Sequence, residues 1–272
     1  MTFVLSQHAH SKPSLVVIIP VRNAMPYLAE ALESIRAQRY EPIEVVVVDD
    51  GSTDGSVEFA RQVTNPRLRV IELKDVGPAA ARNAALRITS SELVAFLDAD
   101  DIWPANALNR LCLALSERPD AGFAQGRIRN FSDSQQGGRR FLTMPYEFVN
   151  LGANVWRRNV FEKVGLLDED LRLCEDLDFI MRCWECDIRK AEVSSVVLHY
   201  RRHPGGVTHG LSGAGFGTVK AFKKRIERVR RGEVNLAKPR HTDLESYVGT
   251  PPTSQDGNQA GNPNRSVHVH VR

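Results

Sequence analysis

The segment VVVVDDGSTD, residues 45–54, combines a continuous apolar run with an abrupt acidic ending. Its four valines show no alternation with polar residues, which is typical of a strand covered on both faces of a sheet. Two carboxylates then follow directly, so the strand ends in polar side chains. We therefore predict a buried parallel strand with an acidic carboxyl end.

Further apolar segments flank this strand, and helical patterns lie between them. The predicted strands are Leu15–Ile19, Glu44–Val48, Arg69–Leu73 and Leu93–Leu97. The predicted helices are Pro26–Gln38, Ser56–Val63, Pro78–Thr89 and Pro104–Leu115. Three of these helices are predicted to begin at proline, which is tolerated in the first turn because its missing amide would have no helical partner. The βαβαβαβ order predicts an α/β fold with a mainly parallel sheet flanked by helices, and ligands beyond the carboxyl ends of its strands.

Composition excludes several classes of protein. The 272 residues are 42% hydrophobic and 25% charged, which is ordinary for a globular chain, and the net charge of +3 is too small to indicate nucleic-acid binding. No apolar run approaches the roughly 18 residues of a membrane span. The first 14 residues lack the pattern of a secretory signal, so we expect a cytoplasmic location. Cys183 and Cys186 form a lone CxxC, for which helix packing competes with a metal or redox role.

Acidic residues also follow the fourth predicted strand. Asp98 and Asp100 are two positions apart, so on extended backbone their side chains point the same way and can converge on one cation. Carboxylates suit Mg²⁺ or Mn²⁺, which could bridge to a diphosphate. Helix capping is the alternative: Asp101 precedes a predicted helix, and Ser52 or Asp54 could cap another. The acidic clusters alone leave both interpretations open.

The ordered set of motifs is more specific than any one of them. IIPVRN, VVVVDDGSTD, GPAAARNAAL and FLDADD are followed by RRNVFEKVGLLDE, CEDLDFIMRC and LHYRRHPGGVT. From Pro13 to Thr208 the chain resembles family 2 glycosyltransferases with the GT-A fold. The resemblance implies a metal-dependent, inverting transfer of a sugar from a UDP-, GDP- or TDP-linked donor to a hydroxyl. The acceptor would be a glycan, a lipid-linked precursor or another hydroxyl compound, in polysaccharide, glycolipid or cell-envelope glycan synthesis.

The resemblance also implies a nucleotide pocket. Asp50 matches the residue that accepts a hydrogen bond from the donor base, which suits the ring N–H of uracil, thymine or guanine. The backbone of Pro20, Val21 and Arg22 would line the same pocket. Arg82 matches a basic residue near the nucleotide, where a fixed cation suits an anionic ligand.

A divalent cation, Mn²⁺ or Mg²⁺, is implied by the same resemblance. Asp100 matches the metal ligand, and Asp98 would lie near the ribose or the ion. The YRRH segment offers His203 as a further metal contact. His199 is the alternative, and a purely structural role for His203 also stays open.

The catalytic base implied by the resemblance is Asp176, in the ED motif, with Glu175 positioning it or contacting the acceptor. An inverting transfer needs one carboxylate to take the hydroxyl proton. The alternative for this pair is electrostatic stabilisation of a helix N-terminus. A catalytically silent nucleotide-sugar-binding subunit is the competing function, but such a subunit would typically lose the base. The chain has no GxGxxG, P-loop or GxSxG motif, which argues against three other enzyme classes.

The predicted organisation places a GT-A domain at residues 14–240, after an N-terminal tail at 1–13. Its nucleotide-sugar half is residues 14–130, and its acceptor half is residues 131–218. Within the acceptor half, SDSQQGGRR (132–140) is predicted to be an exposed loop and Leu177–Cys186 a helix. Trp156 is expected in the core, with an aromatic sugar platform as the alternative.

The last two segments differ sharply in composition. Residues 219–240 carry apolar residues at helical spacing among many cations. This basic helix is expected to cover the core with its apolar stripe while its charges stay solvated. Peripheral contact with the inner face of a membrane is the alternative. Residues 241–272, rich in Pro, Gly, Asn and Ser, are predicted to be a disordered tail.

Overall fold

A computed structural model describes residues 12–64, 67–134, 137–206, 216–234 and 240–252. The strands are β1 (Leu15–Val21), β2 (Ile43–Asp50), β3 (Leu68–Leu73), β4 (Leu93–Phe96), β5 (Ala121–Asp133), β6 (Arg139–Phe141), β7 (Asn154–Arg157) and β8 (Arg189–Arg201). The α-helices are α1 (Leu28–Arg36), α2 (Ser56–Gln62), α3 (Pro78–Ile88), α4 (Ala107–Glu117), α5 (Asn159–Val164), α6 (Glu175–Glu185), α7 (Phe216–Arg230) and α8 (Leu244–Val248). A 3₁₀ turn, Leu151–Ala153, precedes β7.

The sheet has the order β3-β2-β1-β4-β7-β5-β6, with β8 paired to β5. The first four strands in this order are parallel, as predicted. β7 then runs antiparallel to both β4 and β5, and β8 runs parallel to β5, so the rest of the sheet is mixed. Along β2, Val45 and Val47 pack into one core cluster and Val46 and Val48 into the other. Burial on both faces explains why the strand shows no polar alternation.

Of the three helices predicted to begin at proline, one does so. α3 begins at Pro78, but α1 begins at Leu28 and α4 at Ala107. Before α1, the amides of Tyr27 and Leu28 both donate to the carbonyl of Ala24, which forms a turn ahead of the helix. The predictions for Pro26 and Pro104 were therefore wrong, because each proline lies in the turn that leads into its helix.

The segment predicted as a loop is a hairpin. β5 continues to Asp133 and β6 starts at Arg139, and Gly137 and Gly138 between them both have positive φ. The predicted boundary between the two halves, at residue 130, falls inside β5. This strand pairs with β7 near its start and with β6 at its end, and the division into two functional halves stays a prediction.

Trp156 belongs to the core, as expected. Its side chain is fully buried, stacks on Phe123 with ring centroids 4.2 Å apart, and meets Phe179 edge-on at 5.2 Å. A buried ring is unavailable to a sugar, so the platform alternative is excluded. Cys183 and the partly buried Cys186 pack in the same cluster, at the end of α6.

The predicted disordered tail is partly structured. α8 lies within it, and Tyr247 is 1% exposed, with its hydroxyl donating to the carbonyl of Ile188 at 2.7 Å. The prediction was wrong for this part because Leu244, Tyr247 and Val248 share one face of a short helix and complete a core cluster. Residues 253–272 lie outside the described part of the chain.

α7 has the reverse of the expected orientation. Val219, Phe222 and Ile226 are 64%, 41% and 48% exposed, so the apolar stripe faces away from the core. Basic side chains of the same helix instead form ion pairs with the domain. No helix in the described part of the chain is both long and apolar enough to cross a membrane.

We predict that Tyr247→Ala lowers the free energy of unfolding by about 3–5 kcal/mol, because it empties a large buried site. Tyr247→Phe removes only the hydrogen bond to Ile188 and should cost about 1–2 kcal/mol. Urea unfolding followed by circular dichroism measures both. A loss below about 1 kcal/mol for Tyr247→Ala would mean that α8 is not part of the folded domain.

Candidate active site

Hydrogen bonds join the loop after β1 to the turn after β2. The amide of Asn23 donates to the Ser52 hydroxyl, and the amide of Met25 donates to the Asp54 carboxylate, each at 2.8 Å. In return, the side-chain oxygen of Asn23 accepts from the amide of Thr53 at 2.8 Å. The Gly-Ser-Thr-Asp sequence therefore fixes the first loop at the carboxyl edge of the sheet. Ser52 does not cap α2.

Asp50 is buried where β2 ends. Its carboxylate accepts from the amides of Val76 and Gly77, at 2.7 and 2.8 Å, and so holds the loop between β3 and α3. Arg22 lies 3.7 Å from the same carboxylate. A carboxylate offers about four acceptor positions, so two backbone bonds leave Asp50 able to accept from a base.

Pro20, Val21 and Arg22 come at the end of β1, beside Asp50. Arg22 pairs with Asp75 at 2.6 Å, and Asp75 lies 3.4 Å from Arg172. This exposed network joins the first loop to the segment before α6. The sequence reasoning missed Asp75 and Arg172, which lie outside the recognised motifs.

The acidic segment after β4 meets the end of β8. Asp100 Oδ2 lies 2.9 Å from His203 Nε2. Burial and the nearby Asp98 raise the pKa of Asp100, while His203 opposes the shift. His199 does not share this contact: its ring packs 5.0 Å from Phe141, and burial together with nearby arginines lowers its pKa to about 4.

A cation would have two protein ligands here. Among the residues described, no three His, Cys, Asp or Glu side chains converge on one point. Asp100 and His203 are nevertheless spaced like adjacent ligands of one ion, which lie about 3 Å apart when each bond is about 2.1 Å. Magnesium-like ions are commonly held by one or two carboxylates plus substrate phosphates. The donor set therefore fits a cation that the diphosphate of a ligand completes.

Arg201, the last residue of β8, binds the acidic loop that follows β4, residues 98–101. Its guanidinium donates to the carbonyl of Asp100 at 2.7 Å and pairs with Glu30 and Asp133. Its own amide donates to Asp101 at 2.8 Å. Asp101 is buried among carboxylates, which raises its pKa, and it does not cap α4. The sequence reasoning missed Arg201 although it lies in the YRRH segment.

Arg82 connects the acidic loop to α6. Its guanidinium is 4% exposed and binds Asp98 at 2.5 Å and Glu175 at 2.7 Å. The next residue, Asn83, donates to the carbonyl of Leu167 at 2.8 Å. α3 thus carries two adjacent side chains that tie the parallel half of the sheet to the acceptor half.

Asp176 begins α6 beside Glu175, after Cys174 in a left-handed conformation (φ 62°). Its carboxylate is partly buried. Burial and then the negative charge of Glu175 raise its pKa to about 7. A carboxylate that titrates near neutrality is suited to taking a proton and releasing it again.

The sequence profile described as Glycosyl transferase family 2 matches residues 16–167, more than half of the chain. The succinoglycan biosynthesis protein ExoO of Rhizobium meliloti is 30% identical over 226 residues, which cover 73% of this chain and 64% of that protein. The chain spans 25% to 64% of the length of eight curated relatives that it matches. Cell-envelope polysaccharide proteins are thus among its relatives.

Solved structures share the fold. The mannosyltransferase PcManGT of Pyrobaculum calidifontis, in complex with GDP-Man and Mn²⁺, superposes with a TM-score of 0.65 and 25% identity, over 79% of this chain and 65% of that one. S. aureus TarS 1–349 with UDP-GlcNAc gives a TM-score of 0.64 at 21% identity, over 82% and 68%. The α/β architecture is therefore the GT-A fold.

We predict that Asp176→Asn stabilises the protein, increasingly so as the pH rises from 5 to 7, with no further gain above 7. The unfolded carboxyl ionises near pH 4, whereas the folded one stays protonated up to about 7. Ionisation in the folded state is therefore unfavourable, and stability is lost as the pH rises between the two pKa values.

Thermal unfolding of wild type and variant at pH 5, 6, 7 and 8 measures this effect. Glu117→Gln, at an exposed carboxylate at the end of α4, is the control for loss of one negative charge. A stability difference between Asp176→Asn and wild type that stays constant over this range would contradict the raised pKa.

Proposed function

The chain belongs to glycosyltransferase family 2, and we propose that it is a metal-dependent, inverting enzyme that transfers a sugar from a nucleotide-sugar to a hydroxyl of a glycan or lipid-linked acceptor. The observation that carries this proposal is the buried Arg82. It joins Asp98 of the acidic loop to Glu175, which is adjacent to a carboxylate with a pKa of about 7. A donor-binding loop and a candidate base are thus held in one connected site.

The donor base would bind beside the end of β2. Asp50 is rigidly held by two backbone amides and retains acceptor capacity for a ring N–H. The backbone of Pro20, Val21 and Arg22 would line this pocket. Relatives of the same fold hold UDP-GlcNAc or GDP-Man, and both bases carry such an N–H. The proposal therefore covers UDP, GDP and TDP donors.

The diphosphate would lie between the acidic loop and the end of β8. Asp100 and His203 would hold a Mn²⁺ or Mg²⁺ ion. Asp98, which is paired with Arg82, would face the ribose or the ion. When bound, the ion supplies positive charge that stabilises the departing nucleoside diphosphate. The leaving group then needs no protonated acid.

The acceptor would react next to the start of α6. Its hydroxyl oxygen attacks the anomeric carbon from the face opposite the diphosphate, and Asp176 takes the hydroxyl proton. The bond between the anomeric carbon and the phosphate oxygen breaks, and the nucleoside diphosphate leaves with the electron pair. Attack from the opposite face inverts the anomeric configuration. Glu175, fixed by Arg82, would position the base.

Asp176→Asn should reduce kcat by about 100-fold or more while leaving the Kd of the nucleotide nearly unchanged, because it removes the proton acceptor alone. Wild-type kcat/KM should rise with pH up to about 7 and then level off, as the base of the free enzyme becomes ionised. Single-turnover assays and calorimetry measure these quantities. Normal turnover of Asp176→Asn would refute the assignment of the base.

The histidines near the acidic loop give a matched test of the metal site. In thermal unfolding with UDP, GDP or TDP, with and without Mn²⁺, one nucleotide should raise the wild-type Tm by about 5–10 °C, and only with the metal. His203→Ala should lose this increase, because it removes a ligand adjacent to Asp100. His199→Ala should keep it. Loss in both variants, or in neither, would contradict the assignment of His203.

A further inference from the structure

α7 presents two faces of opposite character. Residues 216–234 contain seven Lys or Arg and two Glu. Some of these basic side chains point toward the domain. Lys224 pairs with Asp168 at 2.5 Å and Asp170 at 3.0 Å, and Arg228 pairs with the fully buried Asp178 at 2.8 Å. These ion pairs attach the helix to the domain, and among its residues 217–230, whose burial the structure describes, only Ala221 is buried.

The outer face of α7 carries exposed apolar side chains. Val219, Phe222 and Ile226 recur at helical spacing and are 64%, 41% and 48% exposed. Lys223 and Arg230 are exposed on the same face, since they follow at four-residue steps from Val219 and Ile226. An apolar stripe flanked by cations is thus directed toward solvent.

We propose that this face of α7 docks on an anionic lipid surface. Apolar side chains of an interfacial helix enter the boundary between headgroups and acyl chains, while flanking cations bind anionic headgroups. Phe222 and Ile226 supply the inserted groups, and Lys223 and Arg230 supply the charge complementarity. A protein partner or a second copy would need to offer an apolar surface rimmed with carboxylates, whereas an anionic bilayer offers both features everywhere.

The first turn of α7 packs beside the candidate catalytic residues. Gly217 packs so closely on Leu173 and Cys174 that an added Cβ would lie 2.9 to 3.0 Å from their side chains. Thr218 lies 3.7 Å from the sulfur of Cys174. These contacts come immediately before Glu175 in the chain. α7 therefore starts next to the ED motif, and, resting on the proposed function, a lipid surface at this helix would suit a lipid-linked acceptor.

Sedimentation of the full chain with vesicles tests the docking without reference to turnover. The probes are phosphatidylcholine vesicles with and without about 30% phosphatidylglycerol, at low salt and at about 0.5 M salt. Wild type should bind the anionic vesicles at low salt, and binding should fall by about tenfold or more in Ile226→Asp/Arg230→Glu. Neutral vesicles should bind weakly.

Leu113→Asp/Arg110→Glu is the matched control, because it makes the same kinds of change at two exposed positions of α4. It should bind vesicles within about twofold of wild type, since its charge change is equal but lies elsewhere. If both variants lose vesicle binding equally, net charge alone explains the loss and the proposal is overturned. If the wild-type protein does not bind vesicles, the proposal is also overturned. The same holds if the protein forms a dimer that Ile226→Asp/Arg230→Glu dissociates and does not bind vesicles, because the face would then be a protein interface.

The metal-dependent Tm increase with nucleotide, measured on the same variants, separates the two proposals. It should be unchanged in Ile226→Asp/Arg230→Glu, because neither residue belongs to the donor site. Vesicle binding without any nucleotide effect would support the lipid surface and count against the proposed transferase activity. The reverse result would support the activity and refute the docking.

Discussion

A buried arginine between two carboxylates holds the acidic loop after β4 against the start of α6. Arg82 on α3 binds Asp98 after β4 and Glu175 at the start of α6, so neither acid can move independently of the other. Removing one partner of a buried ion pair typically costs about 3–5 kcal/mol, because the remaining charge is left without compensation. The separation between the two motifs is therefore set by one planar guanidinium rather than by flexible loops.

The same arginine also explains why two neighbouring acids can have different roles. Its guanidinium bonds directly to Glu175 and not to Asp176. For Asp176, burial and the adjacent charge of Glu175 raise the pKa and outweigh the opposing effect of the more distant Arg82 charge. Environments that separate the properties of two adjacent carboxyls are a recurrent way of assigning one to positioning and the other to proton transfer. The geometry around Arg82 thus creates the chemical difference within the ED motif.

Local sequence patterns predicted the parallel half of the sheet well, because buried strands depend mainly on their own apolar residues. They failed where a distant segment decides the outcome. Pro26 and Pro104 lie in turns before their helices, although proline alone suits a first helical position. Asp50, Asp98, Asp100 and Asp176 were assigned from motifs, and their roles stay predictions. Arg201 was missed because its contacts with Glu30 and Asp133 join residues far apart in the chain.

α7 shows why an amphipathic pattern identifies two faces without saying which one is buried. Burial of its apolar stripe was the natural expectation, since apolar contact usually dominates packing. The surface beneath the helix, however, contains Asp178, which is fully buried, and Glu185, which is nearly so. Asp178 also pairs with Arg182 on its own helix, whereas Glu185 pairs with Arg225 and Arg228 of α7. If the apolar stripe faced inward, Glu185 would lose these two partners, and an uncompensated buried carboxylate is more unfavourable than an exposed aliphatic side chain. The orientation of α7 therefore follows from acids on α6, and the exposed stripe is a direct consequence of that electrostatic requirement.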